Sequence, residues 1–239
     1  YEIQLSESQT TVLESIKDKF TQFDVNLLHG VTASGKTEVY IKLIEEFLQQ
    51  DKQVLFLLPE IALTTQLVQR LSAYFGNQIA VFHSKYNSNE RVEVYNHVLQ
   101  NSEKAKVVLG VRSALFLPFS NLGLIVVDEE HEATYKQQDP ALRYHARDAA
   151  IVLAKFHNAK VLLGSATPSL ESYHNAKTNK YGLIELFTRF NNVLLPEIHL
   201  IDLKDKYFRK RMDGHFSDEL LERMHETLAN NEQIMLFQN

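Results

Sequence analysis

The chain has 239 residues, 44% of them hydrophobic and 23% charged, with a formal net charge of -5 and no cysteine. That length can bury a sizeable core in one large α/β domain, or in a domain with part of another. Disulfides and thiolate zinc sites are excluded within this stretch. No apolar run approaches the ~20 residues of a membrane span, and the opening "YEIQLSESQ" lacks the basic and apolar regions of a signal peptide, so a soluble, cytoplasmic protein without a membrane partner is expected. The acidic balance gives no global footprint for nucleic acid, so a DNA role has to rest on a local groove.

Short apolar runs rich in β-branched residues recur at 25–28, 54–58, 79–82, 107–109, 124–127 and 161–163. Continuous runs of this kind are the form of strands buried on both faces of a parallel sheet. Between them, Val39, Tyr40, Leu43, Ile44, Phe47 and Leu48 share one helical face, as do Val92, Tyr95 and Leu99. The alternation predicts an α/β fold with a doubly wound, mostly parallel sheet, spanning residues 1–190. Residues 191–232 read as extended chain, a basic connector with Lys204, Lys206, Arg209, Lys210 and Arg211, and a helix capped by Ser217. The connector is either a phosphate-contacting segment or a solvated linker. Segment 233–239 reads as the first strand of a second lobe, so a fragment that stops as that lobe begins is expected.

The clearest chemistry lies at Gly30, Val31, Thr32, Ala33, Ser34, Gly35, Lys36 and Thr37, which satisfy G-x-x-x-x-G-K-[ST] between a strand and a helix. Glycines let the backbone approach a triphosphate, while loop amides and the helix N-terminus supply donors. Lys36 is placed to reach the β and γ phosphates and Thr37 to hold Mg²⁺. ATP and magnesium are therefore the expected cofactors.

A second acidic element, "LIVVDEEHE" at 124–132, ends the most apolar strand. Asp128 is expected to complete the magnesium shell, and Glu129 to orient and polarise the attacking water. Glu130 and Glu132 read as solvated charges. His131 reads as a hydrogen-bonding link between elements rather than a metal ligand, since no second histidine stands at ligand spacing. Ser165 and Thr167, in "LLGSATPSLES", stand where a doubly wound sheet opens its ligand crevice, and capping of the following helix is an equal alternative.

With "GVTASGKTEVY", "DEEHE" and "GSATPS" in this order, the chain resembles the first motor lobe of the superfamily 2 DEAH/DExH-type helicases. The stretches "LPEIALTTQ", "FHSKYNSNER", "VRSALFLPFSNLGLIVVDEEHE" and "YKQQDPALRYHARD" are similar to the PriA family of bacterial primosomal helicases. Ala33 departs from the glycine usual there. The resemblance implies a RecA-like P-loop NTPase lobe of an ATP-dependent 3′-to-5′ DNA helicase in replication restart, nucleoid-associated in bacteria. Its implied partners are single-stranded and forked DNA, primosome proteins, the replicative helicase loader and single-stranded-DNA-binding protein. Zinc is implied for the intact protein only. By position, Gln9 matches an adenine-reading glutamine; Pro59, Glu60, Arg112 and Ser113 match DNA-contacting motifs; and Ser165 with Thr167 matches the motif coupling hydrolysis to strand movement, to which His131 is added. The segment 135–147 resembles an aromatic-rich loop that senses single-stranded DNA. There Tyr135 and Tyr144 offer stacking faces, and Lys136, Arg143 and Arg147 can meet phosphates, although tyrosine beside arginine is also common in plain packing.

Overall fold

The computed structural model describes residues 3–60, 65–83, 87–139, 143–189 and 197–237, and only the backbone of 65 and 66. Parts of three motifs quoted above, at 61–64, 84–86 and 140–142, lie outside the described residues, as do 191–196 of the expected extended segment and 238–239 of the expected strand. The chain divides into two units, 1–193 and 194–239.

In the first unit, strands β1 (Val25–Gly30), β2 (Gln53–Leu57), β3 (Ile79–Phe82), β4 (Val107–Gly110), β5 (Leu122–Asp128), β6 (Lys160–Ser165) and β7 (Gly182–Leu186) form one sheet in the order β3-β4-β2-β5-β6-β1-β7. Every pairing in it is parallel. Side chains alternate between two cores, as the two-residue period of a strand demands. Leu55, Leu57, Ile125, Val127, Val161 and Leu163 face one, while Val54, Phe56, Leu124, Val126 and Leu162 face the other. Helices α1 (Glu7–Gln22), α2 (Lys36–Gln49) and α3 (Thr65–Phe75) cover the second face; α4 (Ser88–Leu99), α5 (Ala146–His157) and α6 (Leu170–Lys177) contribute to the first. Helix α1 starts on a reciprocal cap in which Ser6 N–H donates to Gln9 Oε1 at 2.8 Å and Gln9 N–H donates to Ser6 Oγ at 3.3 Å.

Two expectations about this unit change. Val92, Tyr95 and Leu99 of α4 are exposed, at 58%, 46% and 49%, whereas Val98 is buried and Val94 packs on the core. The helix lies beside the edge strand β3, so a narrow Val94–Val98 stripe is all it can bury. Strand β7 was not foreseen: it is short, pairs along β1, and carries an exposed Glu185.

In the second unit the basic connector is a helix and a hairpin. Asp202 caps α7 (Leu203–Phe208), and β8 (Met212–Asp213) pairs antiparallel with β9 (Phe216–Ser217) around Gly214, whose φ of 58° favours glycine. Lys206 pairs with Asp218 and Glu219 at 2.8 and 3.1 Å, and Arg209 with Asp205 at 3.0 Å. Ser217 caps α8 (Asp218–Ala229), its Oγ accepting from Leu220 N–H at 3.2 Å. The expected strand does not form over 233–237. A strand exists through its ladder, and among the described residues this segment has no neighbour to pair with.

Candidate functional site

The strand order sets the carboxyl ends of β5, β6 and β1 side by side. Because the chain passes from β1 to β2 over two intervening strands, this is a switch point of the kind that opens a ligand crevice. The loop 30–37 leaves β1 there. Gly35 has φ 82°, and a Cβ on it would collide with the Gln9 side chain. Lys36 Nζ donates to Gly30 O at 2.8 Å. Gln9 Nε2 donates to the carbonyls of Ser34 and Gly35 at 3.4 and 3.3 Å, so α1 braces the loop. The buried Ser34 Oγ has no hydrogen-bond partner among the described residues.

Ala33 adopts φ 62°, a left-handed conformation that costs a residue with a Cβ about 1–2 kcal/mol. Ala33→Gly is expected to stabilise the chain by a net of about 0.5–1 kcal/mol, or about 1–4 °C in melting temperature, the relieved strain exceeding the entropy glycine gains when unfolded. Thermal unfolding of the two proteins side by side checks this.

A cleft of about 430 Å³ opens above the loop, lined by residues 32–37 with Gln9, Arg70, Asp128 and Glu129. Arg70 from α3 forms an ion pair with Glu38 of α2 at its edge. Across it, Tyr40 Oη donates to Asp128 Oδ1 at 2.9 Å. Tyr40 is fully buried, and its hydroxyl occupies the space over Gly164 that a Cβ would fill. Sequence reading placed Tyr40 only on the apolar face of α2. The available signal was its polar tip, since a buried tyrosine hydroxyl needs a partner.

Burial, reinforced by the neighbouring Glu129 charge, pushes the Asp128 carboxyl up to about 6, against the opposing pull of Tyr40 and Lys36. Relative to an unfolded value near 3.9 the folded pKa is raised, so the native state holds the extra proton between about pH 4 and pH 6. The stability linked to it is present below pH 4 and lost as pH rises through 6. Without divalent metal, Asp128→Asn is expected to gain stability relative to the parent chain over that window, by up to about 3 kcal/mol. Chemical denaturation at pH 4.5 and pH 7.5 measures the difference.

These residues fit a magnesium nucleotide. The unpartnered Ser34 hydroxyl, the left-handed backbone at Ala33 and Gly35, and the Lys36 ammonium form an anion cradle. Thr37 and Asp128 line the same cleft. Among the described residues no group of three or more histidine, aspartate or glutamate side chains could hold a metal by itself, and magnesium commonly takes most of its ligands from phosphate and water.

Beyond Asp128 the chain turns sharply. Glu129 has φ 47°, a conformation that non-glycine residues hold only where their surroundings enforce it. Glu130 is fully buried, and its expected role as a solvated charge is overturned. It accepts from Ser169 N–H at 2.7 Å, Ser169 Oγ at 3.0 Å, Ser172 Oγ at 2.8 Å and Arg147 Nη1 at 3.0 Å. His131 Nδ1 lies 2.8 Å from Ser165 Oγ, its Nε2 lies 3.4 Å from Thr167 Oγ1, and Thr167 N–H donates to Ser165 Oγ at 2.9 Å. The cap of α6 is Ser169 rather than either of these hydroxyls.

Three expected DNA contacts do not present themselves. Tyr135 is 1% exposed and its hydroxyl donates to the carbonyls of Leu57 and Asp128 at 3.1 and 2.7 Å, so its ring is unavailable for stacking. Arg147 is buried against Glu130 and Asp148, and its charge is already matched. Pro59 is buried, whereas Glu60 is exposed and Ser113 half-buried. The remaining four converge. Arg112 Nη1 donates to Lys136 O at 3.3 Å, Tyr144 Oη donates to Arg112 O at 3.4 Å, and Lys136 Nζ donates to the carbonyl of the exposed Arg143 at 3.1 Å. A bridge between Lys136 and His145 closes the stem of this loop.

Compared with known families, residues 6–176 match DEAD/DEAH box helicase. The chain belongs to the DEAD/DEAH box helicase family. The chain is 43% identical over 98% of its length to replication restart protein PriA of Bacillus subtilis, and 48% identical over 91% to that of Haemophilus influenzae. It spans 29% of the length of each of these curated relatives. Among solved structures it superposes on RecG bound to a three-way DNA junction with a TM-score of 0.57 at 22% identity, covering 78% of this chain and 24% of that one. The DNA-bound helicase MrfA gives 0.54 at 16% identity, with 77% and 25% covered. Both likenesses concern the fold, a RecA-like helicase lobe. Among the described residues, no helix of this lobe or of the rest of the chain is long and apolar enough to cross a membrane.

Proposed function

We propose that this chain is the nucleotide-binding lobe of an ATP-dependent 3′-to-5′ DNA helicase that recognises stalled replication forks and starts primosome assembly. The observation that carries the reading is the adjacency of β5, β6 and β1: Lys36, Asp128 and Glu129 line one cleft, and His131 links the turn after β5 to Ser165 and Thr167 at the end of β6. Its similarity over nearly the whole chain to replication restart proteins supports the biological setting. Bound as ATP with magnesium, the nucleotide supplies the transferable γ-phosphoryl group.

The chain's own groups then have assignable work. Loop amides and Lys36 would hold the phosphates, Thr37 and Asp128 would hold the metal, and Glu129 would accept a proton from the attacking water. Gln9 reads adenine by exchanging one of its two long bonds to the loop carbonyls. His131, bonded to Ser165 and near Thr167, ties the hydrolysis turn to the segment after β6. Arg112, Ser113, Lys136, Arg143 and Tyr144, with Glu60, face the nucleic acid. The partners proposed beyond DNA are primosome proteins, the replicative helicase loader and single-stranded-DNA-binding protein. Transition-state charge requires a further arginine from outside this lobe, worth about 10³–10⁵ in rate in related enzymes, so the chain alone is expected to bind ATP and turn it over slowly. The deciding test is ATP hydrolysis by a chain extended through the second lobe, with and without single-stranded DNA, and with Lys36→Ala as control. Stimulation by DNA that the variant lacks supports the reading; hydrolysis indifferent to DNA replaces it with a nucleotide switch.

A further inference from the structure

With Tyr135 buried, a cluster read for base stacking is left with the half-buried Tyr144 alone. The structure supplies another aromatic beside it. Phe116, at the end of the 3₁₀ turn Arg112–Phe116, is 70% exposed, and its ring meets the Tyr144 ring edge-on at 5.2 Å with an interplanar angle of 80°. An isolated exposed apolar side chain is ordinary, but this one is held. Tyr144 is itself fixed by its hydroxyl to Arg112 O and by its carbonyl, which accepts from Gln137 N–H at 3.0 Å.

Among the described residues, Arg112 and Lys136 beside the pair are positioned by backbone carbonyls and form no ion pair with a carboxylate. Arg112 reaches Lys136 O, and Lys136 reaches Arg143 O. Such bonds orient a side chain and leave its charge uncompensated. Asp139 is exposed in the same loop, and the loop is flanked by the half-buried Glu132 and by Asp148, which pairs with Arg147 at 2.8 Å. A flat, rigid apolar face set among guanidinium and ammonium groups matches a ligand with flat rings strung on an anionic backbone.

We infer that Phe116 is a base-stacking residue for single-stranded nucleic acid, with Tyr144 as the buttress that holds its ring and Arg112 and Arg143 meeting the flanking phosphates. This rests on the DNA reading proposed above and names the element that touches the bases. Phe116 lies in the family-like stretch 111–132, but the DNA-contacting positions matched there are Arg112 and Ser113.

The sequence contains no tryptophan, so Phe116→Trp places a sole indole reporter in this chain. The variant is titrated with oligothymidylate and with an abasic oligonucleotide of equal length, following indole fluorescence and, in parallel, the anisotropy of labelled oligonucleotide. Quenching by oligothymidylate that the abasic strand does not produce is the expected result. Phe116→Ala, with an unchanged melting temperature, should then bind oligothymidylate about 5- to 150-fold more weakly, the range one stacked base supplies, and bind the abasic strand as the parent does. Binding seen by anisotropy without base-dependent quenching overturns the stacking assignment and leaves the DNA reading intact. No binding of either strand overturns both.

Discussion

Arg147→Ala is expected to destabilise the chain by about 3–5 kcal/mol, because it strands a fully buried carboxylate without its countercharge. In a protein of this size that lowers the melting temperature by about 10 °C. Glu130 would keep its three serine-derived hydrogen bonds, which do not neutralise it. Glu130→Gln should cost less, since Arg147 retains Asp148 at 2.8 Å and no buried negative charge remains. Thermal or urea unfolding of the three proteins measures the ordering. A loss below 1 kcal/mol in Arg147→Ala would mean that the Glu130 network does not hold the turn after β5 to the start of α6.

Lys36→Ala is expected to weaken magnesium-ATP binding by about 100-fold, from the loss of charge-assisted hydrogen bonds worth about 1.5–3 kcal/mol each to a phosphate oxygen. The cradle itself should persist. Gln9 still braces the Ser34 and Gly35 carbonyls, and α2 keeps its buried face of Val39, Tyr40, Leu43 and Ile44. The free chain therefore should melt within about 1 °C of the parent, as expected for a substitution outside the core, while calorimetric titration with the nucleotide shows the loss. Equal affinity in both proteins would remove Lys36 from the phosphate site and with it the reading of the loop.

Much of this was legible along the chain because the signals involved are short-ranged. Each of the six apolar runs became a sheet strand, since a short, continuous β-branched stretch suits a parallel sheet covered on both faces, with only the edge strand β3 left half-buried. Ser217 capped its helix because a serine ahead of an amphipathic run satisfies the first free amides locally. The glycine-lysine-threonine loop kept its strand-to-helix context because glycine permits the backbone that the turn requires.

The misreadings have a common cause in partners that lie far away in sequence. Tyr135 looked like a surface aromatic until the ends of β2 and β5 offered it two carbonyls, from Leu57 and Asp128. Glu130 looked solvated beside Glu129 and Glu132, yet Arg147 and the serines of α6 enclose it from 17 to 42 residues away. Val92, Tyr95 and Leu99 had helical spacing, but the edge position of β3 decided which stripe was buried.

By itself, then, the sequence determined six of the seven strands of the main sheet and the chemical kit: an anion-binding loop, a lysine, a hydroxyl and a pair of carboxylates. These depend on backbone preference and side-chain type over a few residues. Only the tertiary structure decided that β6 lies between β1 and β5, that Gly164 leaves room for Tyr40 to reach Asp128, and that Phe116 rather than Tyr135 faces outward. Sheet order and burial follow from which distant surfaces pack best together, and local periodicity carries no record of that choice.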